Sequence, residues 1–302
     1  AGHSLGEYSA LAAVAGVMPL SAVVDVVYRR GLTMDRLVAR DRHGRSPYGM
    51  VAMRPNLAGL SEQEALALVD EVGRTGGLPL FVVNHNVRGR QYAVTGDARA
   101  LAALKERLAA TPGAKPAVLD VPGIDVPFHS PLLRDGVEAF RETLEDALPP
   151  RVDATALVGR YLPNLTGTVF RLEPAFLREV VEASGSARVA GLLERFHDAS
   201  KDQDALARAL LVEVLAFQFA SPVRWIDIQD ALLSGAAAVR LLIEVGPAQG
   251  PVLAGMARST LASLSSSRRV RVLHAGADRE ALFGVSSVEI DAASPEPHGV
   301  TA

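Results

Sequence analysis

The first residues able to do chemistry stand almost at the start of the chain, in Gly2-His3-Ser4-Leu5-Gly6. This fits G-x-S-x-G, in which the serine sits on a strained strand-to-helix turn and side chains at the flanking positions would clash with neighbouring backbone. An apolar helical pattern begins directly after Ser4. It would aim a helix N-terminus at the hydroxyl and make the Leu5 N–H a natural oxyanion donor. A glycine-rich turn is the plainer reading of the same five residues, and the helix that follows weighs against it. A serine nucleophile also needs a base. Of seven histidines, His43, His274 and His298 stand in polar or terminal segments and read as solvated. His197 reads as a helix-surface residue and His85 as a structural residue at a strand end. His3 lies inside the turn, pointing away from where a base must sit. His129, in Val126-Pro127-Phe128-His129-Ser130, falls at a strand-to-helix junction, which delivers a side chain to a cleft. On position alone His129 serves equally as a base or as a structural residue.

The elements that must hold these residues follow from periodicity. Residues 9–37 repeat apolar positions at helical spacing, and Gly16 and Pro19 divide them into two helices. From residue 49 the pattern shortens. Met50 to Met53, Leu80 to Val83, Gln91 to Val94 and Ala117 to Val121 read as strands. Helices are expected over 61–72, opened by a Ser61/Glu64 capping box, and over 97–108. The order β-α-β-β-α-β is a split, ferredoxin-like unit. Further helices are expected over 130–149, 174–218 and 250–264, with buried strands over 239–245 and 270–273. The Ser-, Ala-, Pro- and Gly-rich stretch from Ser286 reads as a flexible linker.

Composition narrows the function classes. The chain has 302 residues, 49% of them hydrophobic and 22% charged, with 31 Lys and Arg against 34 Asp and Glu, a net charge of −3. That excludes a disordered chain and a strongly basic nucleic-acid binder. No cysteine is present, which excludes disulfides, thiolate metal sites and a cysteine nucleophile, and is compatible with a reducing, cytoplasmic compartment. The most apolar early stretch, residues 10–20, is about half the ~20 residues needed to span a bilayer.

Several of these segments together resemble the malonyl-transferase family, the acyltransferases of fatty acid and polyketide synthases. Gly2 to Glu7 is similar to its nucleophile motif, Arg29-Arg30-Gly31 to its R-G motif, and Phe128-His129-Ser130 to the segment with the catalytic histidine. Gln218 to Val223 resembles the segment whose Gln main-chain carbonyl orients that histidine, and Glu244-Val245-Gly246-Pro247 a strand end near the site. With Leu162-Pro163-Asn164-Leu165 and Ser221 to Asp227 included, residues 1–285 look most like the malonyl/palmitoyl transferase domain of fungal and actinobacterial type I fatty acid synthases.

The resemblance implies an α/β fold: a hydrolase-like parallel-sheet core, truncated at its N-terminus, with an inserted ferredoxin-like α+β subdomain. The expected division is 1–47 and 128–285 for the two parts of the core, 48–127 for the insert and 286–302 for the linker. It implies Ser4 as nucleophile, His129 as base, the Leu5 N–H as oxyanion donor and the Gln218 carbonyl as the group orienting His129. Arg30, otherwise a surface helix residue, would hold the malonyl carboxylate. Asn86 and Phe128 are possible pocket residues, and Glu7 is expected to serve its helix's first turn. The substrates would be malonyl-CoA, with palmitoyl-CoA as a further candidate, and the phosphopantetheine thiol of an acyl carrier protein. Neither metal nor bound cofactor is implied, and the natural polypeptide is expected to continue upstream and into further synthase domains. A serine esterase or thioesterase, or an inactive structural piece of a synthase, are the rival readings.

Overall fold

The period-two runs between residues 48 and 120 pair into one sheet because each strand alone has only one face to bury. In the computed structural model, which describes residues 1–109, 116–235, 239–247, 250–264 and 270–284, these are β1 (Tyr48–Met53), β2 (Leu80–Val87), β3 (Gln91–Asp97) and β4 (Val118–Asp120). The sheet order is β2-β3-β1-β4, and all three pairings are antiparallel. This is the arrangement of a ferredoxin-like unit. Two further helices follow α1 (Gly6–Ala13) and α2 (Leu20–Arg36): α3 (Glu62–Gly76) and α4 (Ala98–Ala109). The α3 and α4 pair covers one sheet face, burying Val69, Val72, Leu101 and Leu104 against Val51, Met53 and Val94. Helix α3 opens on the expected capping box, with the Glu64 N–H donating to Ser61 Oγ and the Ser61 N–H to Glu64 Oε2.

Residues 1–237 form one compact unit, in which a larger core gathers further helices. They are α5 (Val137–Ala147), α6 (Ala154–Leu157), α7 (Pro174–Ser184), α8 (Ala187–Glu194), α9 (Phe196–Ala199) and α10 (Gln203–Gln218), whereas α11 (Trp225–Leu233) packs on β2 and adds Ile226 to the core of the small sheet. Every residue of α10 from Leu210 to Gln218 is buried, so the C-terminal half of this helix runs through the core with no solvent face. The segment after α10 lies along β2: the Val223 N–H donates to the Val83 carbonyl and the His85 N–H to the Val223 carbonyl. This strand-like contact fixes the small sheet against the end of α10, where the expected base-orienting residue sits.

Residues 238–302 form a second unit. There β5 (Leu241–Glu244) and β6 (Arg271–His274) pair in parallel, and α12 (Leu253–Ser263) packs on them through Ala254 and Ala257; α13 (Arg279–Phe283) follows. The Glu244 carboxylate accepts the N–H groups of Leu253 and Ala254, so the E-x-G-P glutamate caps the start of α12. His274 is buried rather than solvated as the sequence suggested: its N–H donates to Asp278 and its Nδ1 accepts from Ala277. His298 and the expected linker at 286–302 lie outside the described residues.

Candidate active site

Ser4 has φ 49° and His129 φ 61°; among the described residues they are the two non-glycine residues in left-handed backbone. That conformation is costly for a residue with a side chain and persists only where the surroundings impose it. The two strained residues meet, with Ser4 Oγ 2.6 Å from His129 Nε2. On the other side of the ring, Nδ1 is 2.9 Å from the Gln218 carbonyl oxygen. A carbonyl only accepts, so Nδ1 carries the proton and Nε2 presents a lone pair to the serine hydroxyl. Burial, and then the Arg30 charge, push the His129 pKa down to about 3, so the ring is neutral.

Two helix ends converge on this pair. Ser4 precedes the first turn of α1, where the N–H groups of Gly6, Glu7 and Tyr8 bond back to the carbonyls of His3, Ser4 and Leu5. The Leu5 N–H heads that helix at its positive end. Gln218 is the last residue of α10, so its carbonyl is one of the acceptors a helix leaves unfilled, at the negative end of the dipole. The elbow's steric demand is uneven. A Cβ on Gly2 would lie 2.0 Å from the Gly6 oxygen, whereas one on Gly6 would meet nothing within 4 Å. The sequence motif suggested that both positions exclude side chains; only Gly2 does here.

Arg30 is not a surface residue. It occupies the buried stripe of α2 with Val23, Val26 and Met34, over the ring of Tyr8. Its Nη2 donates to Gln218 Oε1 at 3.1 Å, its Nε is buried without a partner, and it forms no ion pair among the described residues. The neighbouring Arg29 is exposed and pairs with Asp25. Asn86 Oδ1 accepts from His3 Nε2–H at 2.9 Å, and His3 packs edge-on to Trp225. Phe128 is half-buried against the main core. Neither lines the cavity of about 270 Å³ that His129 borders, whose walls include Leu66, Phe81, Val82, Pro131 and Pro222.

Three participants were not assigned by the sequence. Asn164 braces the elbow: its Nδ2 donates to the Gly2 carbonyl at 2.6 Å and its Oδ1 accepts the Ser4 N–H at 2.7 Å. Glu7 does not serve the first turn of α1 but is buried, accepting from the Tyr161 hydroxyl, the Asn164 N–H and Gln218 Nε2. Burial pushes its pKa up to about 7. The Gln218 side chain is the third, because only its main chain had been given a role. Among the described residues no cluster of His, Cys, Asp or Glu is placed to hold a metal ion, and no helix is long and apolar enough to cross a membrane.

Residues 1–118 match the family model described as the acyl transferase domain. The chain carries an acyl transferase domain. It is 43% identical over 302 aligned residues to Fatty acid synthase 2 of Mycosarcoma maydis, covering 87% of this chain and 8% of that protein. The chain thus spans under a tenth of the length of that relative. A FabD of Acinetobacter baumannii shares the acyl transferase domain's fold with a TM-score of 0.63 at 21% identity, over 96% of this chain and 71% of that one. A malonyl-transacylase solved in complex with a type II PKS acyl-carrier protein superposes with a TM-score of 0.61 at 21% identity, over 90% of this chain and 66% of its own.

Proposed function

We propose that this acyl transferase domain moves malonyl groups, and palmitoyl groups with them, between CoA and the phosphopantetheine thiol of an acyl carrier protein. In the first half-reaction Ser4 Oγ attacks the thioester carbonyl while His129 Nε2 takes the hydroxyl proton. The carbonyl oxygen becomes an oxyanion facing the Leu5 N–H, and the Gln218 carbonyl holds the imidazolium through Nδ1–H. Collapse breaks the C–S bond, His129 returns the proton to the CoA thiolate, and acyl-Ser4 remains. The carrier thiol then runs the same steps in reverse. No metal or bound cofactor enters these steps. A cytoplasmic setting, with other fatty acid synthase domains as neighbours, belongs to the same proposal.

The observation that supports malonyl as substrate is Arg30. A buried guanidinium without a carboxylate partner is costly unless something charged completes it. A malonyl group brings a carboxylate, which a planar guanidinium can hold with two hydrogen bonds. Intact-protein mass spectrometry after incubation with malonyl-CoA and with palmitoyl-CoA tests the reading. Mass gains corresponding to both acyl groups are expected, and neither in Ser4→Ala. Arg30→Ala is expected to lose at least about tenfold in kcat/KM for malonyl-CoA while sparing palmitoyl-CoA; equal losses for both would remove the assigned role. Fast release of malonate to water without a carrier protein would mark a hydrolase instead.

A further inference from the structure

Arg30 is held by a chain of groups rather than by a counter-ion in contact with it. Its Nη2 donates to Gln218 Oε1. The other end of that amide, Nε2, donates to Glu7 Oε2 at 2.7 Å and to the Ser4 carbonyl at 2.8 Å. The second Glu7 oxygen is already occupied by the Tyr161 hydroxyl and the Asn164 N–H. All of Glu7, Arg30 and Gln218 are at most 5% exposed. Because an ionised Glu7 accepts only, it dictates which way the Gln218 amide points: nitrogen toward Glu7 and Ser4, oxygen toward Arg30. A direct carboxylate partner for Arg30 would compete with an acyl carboxylate. An amide oxygen holds the guanidinium in place and leaves its charge unspent.

We propose that Glu7 and the Gln218 side chain are positioning residues for acyl-group selection, fixing the Arg30 guanidinium so that it receives the carboxylate of a malonyl-type acyl group. This rests on the malonyl-transfer reading above and adds two side chains that act on the acyl carboxylate through Arg30. Glu7→Gln isolates the effect. Tyr161 and Asn164 claim the new amide's oxygen, so its NH2 faces the Gln218 NH2. Two donors then oppose each other, the Gln218 amide turns, and Arg30 meets N–H groups in place of its acceptor.

The test is the ratio of kcat/KM for malonyl-CoA to that for acetyl-CoA, which lacks the carboxylate, with carrier protein as acceptor. Glu7→Gln is expected to lower this ratio at least about tenfold, chiefly through KM for malonyl-CoA. In an Arg30→Ala background the same substitution is expected to leave the ratio where Arg30→Ala alone puts it. Equal losses with both substrates, or a further fall of the ratio without Arg30, would show Glu7 to be merely structural and overturn the proposal. Labelling of Ser4 by a fluorophosphonate reports whether the elbow is intact. If Glu7→Gln no longer labels, Gln218→Met, which keeps the main-chain carbonyl but no amide, is read by the same ratio and the same Arg30→Ala background. Wild-type protein that takes no malonyl group would sink the malonyl reading itself, an outcome distinct from a normal wild type with an unmoved ratio.

Discussion

Asn164 is the residue whose loss should damage the elbow most without touching the nucleophile or base. One side-chain amide satisfies both the Gly2 carbonyl and the Ser4 N–H, and its own N–H binds Glu7. Asn164→Ala strands two main-chain groups in a buried place, at about 1–3 kcal/mol each. Urea unfolding followed by Trp225 fluorescence should show a loss of about 2–6 kcal/mol, and Ser4 should acylate more slowly. A variant with wild-type stability would mean that water replaces the amide. Ser4, His129 and Arg30 were legible because each stands in a short motif. Asn164 had no assigned role because its partners lie about 160 positions away and only the closed fold brings them together. Arg30 did carry a second signal in the sequence: its spacing from Val26 and Met34 places it on the apolar stripe of α2.

Among the elements, α1 and α10 matter as termini more than as packing units. One sets its positive end behind Ser4, the other its negative end behind His129, so both developing charges of the acylation step meet a helix end of opposite sign. The elbow between them makes unequal demands on its glycines. Gly2→Ala should prevent the turn, because no shift of a few tenths of an ångström relieves a Cβ 2.0 Å from the Gly6 oxygen. Gly6→Ala opens no clash and adds a better helix former at the first residue of α1, so fluorophosphonate labelling of Ser4 should persist there and vanish with Gly2→Ala. Equal loss in both would show that something else crowds Gly6. The alternation of residues 48–120 foretold the small sheet well, since a period of two with short turns leaves few pairings. The glycine asymmetry was not legible, because G-x-S-x-G describes spacing and not what stands opposite each position.

At the scale of the whole molecule, burial sets a proton balance. It holds His3, His85 and His129 below the ordinary imidazole range, and the same burial pushes Glu7 up to about 7. In the unfolded chain the three imidazoles bind protons below about pH 6.5 that the folded chain refuses, and this part of the stability is lost as pH falls. Glu7 works in the opposite direction: from about 7 downward the folded chain binds a proton that the unfolded carboxyl, near its ordinary value of about 4.3, does not. Three imidazoles held down oppose one carboxyl held up, so between about pH 7 and pH 5 unfolding should take up protons and stability should fall as the pH falls. The single tryptophan, Trp225, packs edge-on to His3 and reports unfolding at the site itself. Urea midpoints that stay level from pH 7 to pH 5 would mean that the imidazoles are charged in the folded chain. Activity should respond differently: a base held near 3 is already neutral, so kcat/KM for acetyl-CoA, which has no carboxylate for the Arg30 site that Glu7 orders, should show no acid limb near pH 6.5 while the fold persists. A limb there, in protein still folded by its fluorescence, would place the titration of His129 close to that of a free imidazole and remove the burial argument for its state.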